Sequence, residues 1–215
     1  MAPAADRTDD LSDAAEVHPA GITRWLRDRP TLSGTAPRFD STELPDEPTP
    51  LFLRWIGEAA AAGVSEPHAA TLATVDVDGV PDARTLILKA VDDNGWAFAG
   101  PRSSRKGDQL AANPVAALNF WWQPVVRAVR VRGLVTEASQ EESDADLAAR
   151  SPAARDAIPR GGWVLWRLAP TRVEFWQGSP DRHHTRVVYE PLEDGTWSLQ
   201  VGASGSSVQN RGEQS

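Results

Sequence analysis

Cysteine does not occur among the 215 residues, so disulfides, thiolate catalysis and cysteine-ligated zinc are excluded and nothing calls for an oxidising compartment. No apolar run is long enough to span a bilayer, and the opening residues Met1 to Asp10 carry no apolar signal core. Net positive charge is absent as well. The balance is −8, which argues against nucleic acid or an anionic membrane as a partner. No P-loop, dinucleotide glycine pattern or Ser–His–Asp order is present. The expectation from these absences is a cytoplasmic protein.

What is present reads as globular: 40% hydrophobic and 24% charged residues, with nine tryptophans, and 17 prolines that imply long irregular connections. Residues 1–17 are polar and Ala/Asp-rich, a disordered lead-in. Residues 18–200 are expected to form a single domain, and the Gly/Ser/Gln-rich residues 201–215 a disordered tail. A short helix is expected over Ile22 to Arg27, then a proline-punctuated extended arm to Pro50. Thr49 and Pro50 open a better helix, Thr49 as its N-cap, with Leu51, Phe52, Trp55, Ile56 and Ala59 on one face and Gly63 at its end.

From Ala69 the hydrophobic period switches to two. Strands are expected over Ala69–Asp76, Asp82–Val91, Trp96–Gly100, Val115–Trp122, Val126–Glu137, Val164–Trp176, His184–Glu190 and Thr196–Gln200. Asp78-Gly79 and Asp93-Asn94-Gly95 supply tight turns. Ser103–Ala112 reads as a helix stopped by Asn113-Pro114, and a helical region runs from the acidic stretch after Glu137 to about Ile158. Many antiparallel strands with a few short helices predict a mainly β barrel of the α+β class.

Four segments carry chemistry. The stretch Trp176 to Arg186 gathers Arg182, His183, His184 and Arg186 in an acidic chain, which suits a small anionic ligand or, equally, a solvated basic hairpin tip. Ser103-Ser104-Arg105-Lys106 opens a helix. Two cations in a first turn need something negative to offset the dipole, so a phosphate site is favoured over plain capping. On the strand Arg84-Thr85-Leu86-Ile87-Leu88-Lys89, period two puts the two cations on opposite faces, so one points to an interior or interface unless a local acid pairs with it. Arg127 shares a face with Val129 and Val131 and is the candidate inward cation, while Arg130 and Arg132 lie on the other face. His183 and His184 face apart on a strand, and no acid completes a metal spacing, so no metal is expected.

In order and spacing, Arg84 to Lys89, Ser104-Arg105-Lys106-Gly107, Asn113-Pro114, Glu174-Phe175-Trp176-Gln177 and Arg182-x-His184-x-Arg186 resemble the pyridoxamine 5′-phosphate oxidase family, the FMN-binding split barrels. The resemblance covers about residues 20–198. It implies an antiparallel split β-barrel, a homodimer with FMN at its interface, and oxidation of a C–N or C–O bond of a small substrate with oxygen as acceptor. It further implies that Arg84, Thr85, Leu86, Ile87, Leu88, Lys89, Arg105, Lys106, Trp176 and Arg186 hold FMN. Lys89, Arg150, Arg182 and His184 would hold the substrate, Arg182 and His184 in the catalytic position over the flavin.

The chain also departs from the family. A Tyr-Thr pair lining FMN is replaced by Ala99-Gly100, and a flavin-contacting Gln by Ala128. A Tyr and a Ser on the substrate phosphate are replaced by Asp146 and Ala154, and Asp146 repels phosphate. The family's longer segment between Arg155 and Trp163, with a Gln-Ser pair that reaches FMN across the dimer, is absent there, and a Gly/Ser-rich stretch stands in place of the usual closing Leu-x-Pro. Three functions are compatible with the pattern: oxidation of a vitamin B6 phosphate to pyridoxal 5′-phosphate, oxidation of a secondary metabolite, or non-catalytic flavin or ligand binding. A purely structural dimer would leave Arg105 and Lys106 without a partner.

Overall fold

The Asp76 carboxylate accepts from the N–H groups of Asp78 and Val80, at 3.0 and 2.8 Å, and so fixes the turn between the first two strands. Strands joined by such turns dominate the computed structural model, which describes residues 21–203 and the backbone of 209–210. In chain order they are β1 (Ala69–Val75), β2 (Pro81–Asp92), β3 (Gly95–Pro101), β4 (Val115–Trp122), β5 (Arg127–Glu137), β6 (Trp163–Gln177), β7 (Thr185–Pro191), β8 (Trp197–Ala203) and β9 (Gln209–Asn210). The helices are α1 (Ile22–Arg27), α2 (Pro48–Ala61), α3 (Arg105–Ala112), α4 (Gln140–Ala148) and α5 (Pro152–Asp156).

The described residues divide into two units at Thr31/Leu32. In the first, the described residues form α1, which buries none of its side chains. The lead-in 1–17 lies outside the described residues. In the second unit the strands pair in the order β3-β2-β1-β4-β5-β6-β7-β8-β9, and β3 also pairs with β6. Six antiparallel strands therefore close into a barrel, and β7 to β9 extend from it. The tail expected to be disordered begins as strand, through Ala203 and again at Gln209–Asn210, and its remaining residues lie outside the described ones.

β6 makes the split possible. Its first part, Trp163–Leu168, pairs with β3, and its last part, Val173–Gln177, pairs with β7. Between them lies Pro170, which cannot donate to a ladder, opposite the register shift at Arg132/Gly133 in β5. A Cβ on Gly133 would collide with the Ala169 carbonyl, so only glycine allows this approach.

Alternation sends Ala116, Leu118, Phe120 and Trp122 of β4 inward. α2 closes the barrel against them: Phe52 meets Trp96 at 4.3 Å and Phe120 at 5.1 Å between ring centroids, and Trp55 meets Phe175 edge-on at 5.3 Å. Burial of each such side chain is worth about 1.5–3 kcal/mol. Thr49 is not the cap. The helix begins at Pro48 behind Glu47, with no side-chain cap bond, because Pro48 and Pro50 have no N–H to satisfy in the first turn. The helical region expected up to Ile158 is two helices. Pro152 holds Ser151 extended at ψ 149°, which breaks the run, and α4 carries its own Ser139/Glu142 capping box.

Candidate active site

Three cations converge where β2 meets α3. Arg84 donates to Thr74 Oγ1 and, at 2.8 Å, to Gln109 Oε1, and it lies 3.0 Å from Asp82 Oδ2. Arg105 Nε reaches the same Asp82 oxygen at 2.9 Å. Gln109, itself buried, donates to it at 3.3 Å. These donors hold the Asp82 carboxyl below its usual range, the Gln109 hydrogen bond contributing most. Lys106 has no acid partner among the described residues. Its Nζ donates to Ser104 Oγ at 3.0 Å and lies 5.4 Å from the centre of the Trp166 ring, in space that a Cβ on Gly100 would fill. Burial, then repulsion from Arg84, holds its pKa below the ordinary 10.5. Ser104 does not cap α3; its hydroxyl donates to the Pro101 carbonyl at 2.6 Å.

A second set borders this one at the start of β6. Lys89 Nζ lies 3.7 Å from Asp146 Oδ1, and Trp163 Nε1 donates to Asp146 Oδ2 at 2.8 Å. The Arg150 guanidinium stacks over Trp163 at 4.5 Å. Both cations of β2 thus have acid partners, Arg84 with Asp82 and Lys89 with Asp146, so the local ion pairs weighed against an inward charge are what forms. Along β2, Thr85 is exposed and Leu86 and Ile87 are half-buried, but Leu88 turns into the core. The Leu88 N–H is taken by the His68 carbonyl at 2.9 Å, so a cofactor could meet Leu88 only through its carbonyl.

The other expected residues lie at the far end of β6. Trp176 packs on His184 at 4.9 Å and near Trp121 at 6.2 Å. His184 Nδ1 accepts the Ser179 N–H at 3.0 Å, which leaves Nε2 to carry the proton of the neutral ring. Arg182 is exposed, with left-handed backbone at φ 67°. Arg186 lies 3.8 Å from Glu174, a buried acid that also accepts from Arg130 at 3.0 Å. His183 and His184 precede β7 and are not on a strand. The inward cation is Arg127, 1% exposed, bonded to Glu58 and Gln177 and 4.2 Å over the Trp55 ring.

One copy does not bring the two ends together. At about 3.3 Å per residue, Trp166 and Trp176 lie up to roughly 30 Å apart along β6. Among the described residues no hydrogen bond or ion pair links Arg84, Lys89, Arg105, Lys106 and Arg150 with Trp176, Arg182, His184 and Arg186. Asp82, Gln109 and Trp163 were not singled out by the sequence. Asp82 had a signal, since it shares a strand face with Arg84, and Gln109 lies one helical turn from Arg105.

Residues 56–177, more than half of the chain, match the family model of pyridoxamine 5′-phosphate oxidase. The chain belongs to this family. Residues 163–201 match the model of the pyridoxine 5′-phosphate oxidase C-terminal dimerisation region. A pyridoxine/pyridoxamine 5′-phosphate oxidase of Cupriavidus necator is 40% identical over 192 residues, covering 75% of this chain and 91% of that protein. One from Nostoc punctiforme is 37% identical, covering 81% and 94%. Among solved structures, PhzG from Burkholderia lata, in complex with tetrahydrophenazine-1-carboxylic acid, is 27% identical with a TM-score of 0.72, covering 79% of this chain and all of that one. A pyridoxamine 5′-phosphate oxidase-related, FMN-binding protein from Nostoc punctiforme shares the fold at a TM-score of 0.59 and 22% identity. Family membership makes the chain an oxidase-type barrel. Among the described residues, no helix is long and apolar enough to cross a membrane.

Proposed function

We propose that this member of the family is an FMN-dependent oxidase acting on a C–N or C–O bond of a small anionic substrate, with oxygen as acceptor. The observation that carries the reading is the charge imbalance at α3: among the described residues Asp82 is the one carboxylate paired with Arg84 and Arg105, Lys106 has none, and the exposed Asp108 of the same turn pairs with none of the three. An excess of two positive charges matches a phosphate monoester, and guanidinium forks bind it bidentately. Gly100 fits the same purpose, because its missing Cβ leaves a niche for the Lys106 ammonium.

In this reading Arg84, Arg105 and Lys106 hold the flavin phosphate, and Thr85 to Lys89 line its length. Trp176 and Arg186 complete the pocket from the second copy of a homodimer, which the match of residues 163–201 to a dimerisation region supports. When bound, FMN supplies the two-electron chemistry. Lys89 and Arg150 orient the substrate's charged group. Arg182 adds a fixed positive charge, and His184, its Nδ1 occupied by Ser179, offers the Nε2 proton.

Of the substrates, a secondary metabolite has an observation in its favour over a vitamin B6 phosphate: Asp146 already neutralises Lys89. A non-catalytic flavin barrel would bind FMN without releasing peroxide. The test is a visible absorption spectrum after adding FMN and removing the excess. Retained bands near about 370 and 450 nm are expected of bound flavin. A colourless protein after incubation with excess FMN contradicts the reading.

A further inference from the structure

We infer that Asp146 makes this an oxidase for carboxylates and excludes phosphates from the substrate anchor. The inference rests on the reading that the start of β6 receives the substrate. The side chains gathered around Trp163 there are two cations, Lys89 and Arg150, and one acid, Asp146. Asp146 is held on both oxygens: Lys89 Nζ lies 3.7 Å from Oδ1, and Trp163 Nε1 donates to Oδ2 at 2.8 Å. Its position in the last turn of α4 is an unfavourable one for an acid, since the helix dipole is negative there. Lys89 and Trp163 therefore fix the carboxylate where the helix alone would not.

The Asp146 side chain is 14% exposed and that of Lys89 31%, so the pair lies at the wall of the barrel and not free in solvent. Arg150 is the cation left over. Among the described residues it has no acid partner, and its Nε is buried without a hydrogen-bond partner although its guanidinium stacks on Trp163. The local sum is one positive charge. A carboxylate balances it. A phosphate dianion overshoots it and faces Asp146 with twice the repulsion that a carboxylate meets at the same distance.

Asp146 is thus a specificity-determining residue, and removing its charge narrows the preference for a carboxylate over a phosphate. Asp146→Asn keeps an oxygen for Trp163 and removes only the charge. The probes are pyridoxine 5′-phosphate and 4-pyridoxate, pyridines of similar size bearing a phosphate and a carboxylate. Their binding is measured by calorimetry on the protein supplied with FMN. The wild-type protein is expected to bind the carboxylate at least about tenfold more tightly than the phosphate, and Asp146→Asn to gain about tenfold for the phosphate but only about threefold for the carboxylate, which meets half the repulsion. Equal or tighter binding of the phosphate by the wild-type protein overturns the inference, whether or not the variant folds. Failure to retain FMN would instead sink the flavin reading. The same titrations on the flavin-free protein would still decide the anion preference.

Discussion

The Lys106 ammonium occupies the space that a side chain on Gly100 would take, folded back over Trp166 with Ser104 Oγ at 3.0 Å. A cation held half-buried with no acid beside it is held at a cost, and burial is the larger cause of its lowered pKa, ahead of repulsion from Arg84. An anionic ligand would relieve both.

Flavin affinity should therefore depend on pH in the alkaline range. The protonated form of Lys106 binds an anion, and its folded pKa lies below 10.5. Affinity falls as pH rises through that lowered value. The flavin-free protein changes in the opposite sense: between the folded and unfolded pKa values the unfolded chain holds the extra proton, so stability rises with pH there. Fluorescence titration of FMN against pH checks the first sign, and Lys106→Gln should flatten the profile.

Gly100→Ala should displace Lys106 cheaply, because the atom met is the end of a flexible side chain. The expected cost in stability is about 1 kcal/mol, the low end of what overpacking a buried position costs. The alkaline fall in affinity should move to higher pH, since a more exposed lysine titrates closer to its ordinary value. An unshifted profile would contradict this account of the niche.

Arg182→Ala should raise KM for an anionic substrate by about tenfold or more, because a charge-assisted hydrogen bond is worth about 1.5–3 kcal/mol. Flavin content should be unchanged. Steady-state kinetics with peroxide detection, beside a visible spectrum, separates the two effects.

Glu58→Ala should destabilise the fold by about 3 kcal/mol, because it leaves Arg127, 1% exposed, as an uncompensated buried charge. Arg102→Ala, which breaks a pair with Glu137 whose members are 51% and 45% exposed, should cost less than about 1 kcal/mol. Denaturant melts of the two variants check the contrast.

The local elements were legible because their signals are local. Period two and the Asp-Gly and Asn-Gly turns marked the strands, and the face shared by Arg127, Val129 and Val131 identified the buried cation. The start of α2 lies ahead of Thr49 because either proline suits a first turn, and Pro48, not Pro50, takes the first helical position. The closure of β3 on β6 was hidden, since it pairs segments distant in sequence through a kink that Pro170 and Gly133 create. Within the site, the cations stood out in an acidic chain, but which acids pair with them did not. Asp82 and Asp146 are two acids among 30, and only the fold brings them to Arg105 and Lys89.

The central claim is that the flavin site is shared between two copies, Arg105 and Lys106 coming from one and Trp176 and Arg186 from the other. Mixing two variants tests it most directly. Arg105→Ala/Lys106→Ala and Trp176→Ala/Arg186→Ala are each expected to retain almost no FMN. After unfolding and refolding together, half of the dimers should be mixed, each with one intact site, and about a quarter of the wild-type flavin absorbance should return. A mixture that forms dimers yet stays as colourless as the separate variants would contradict the account.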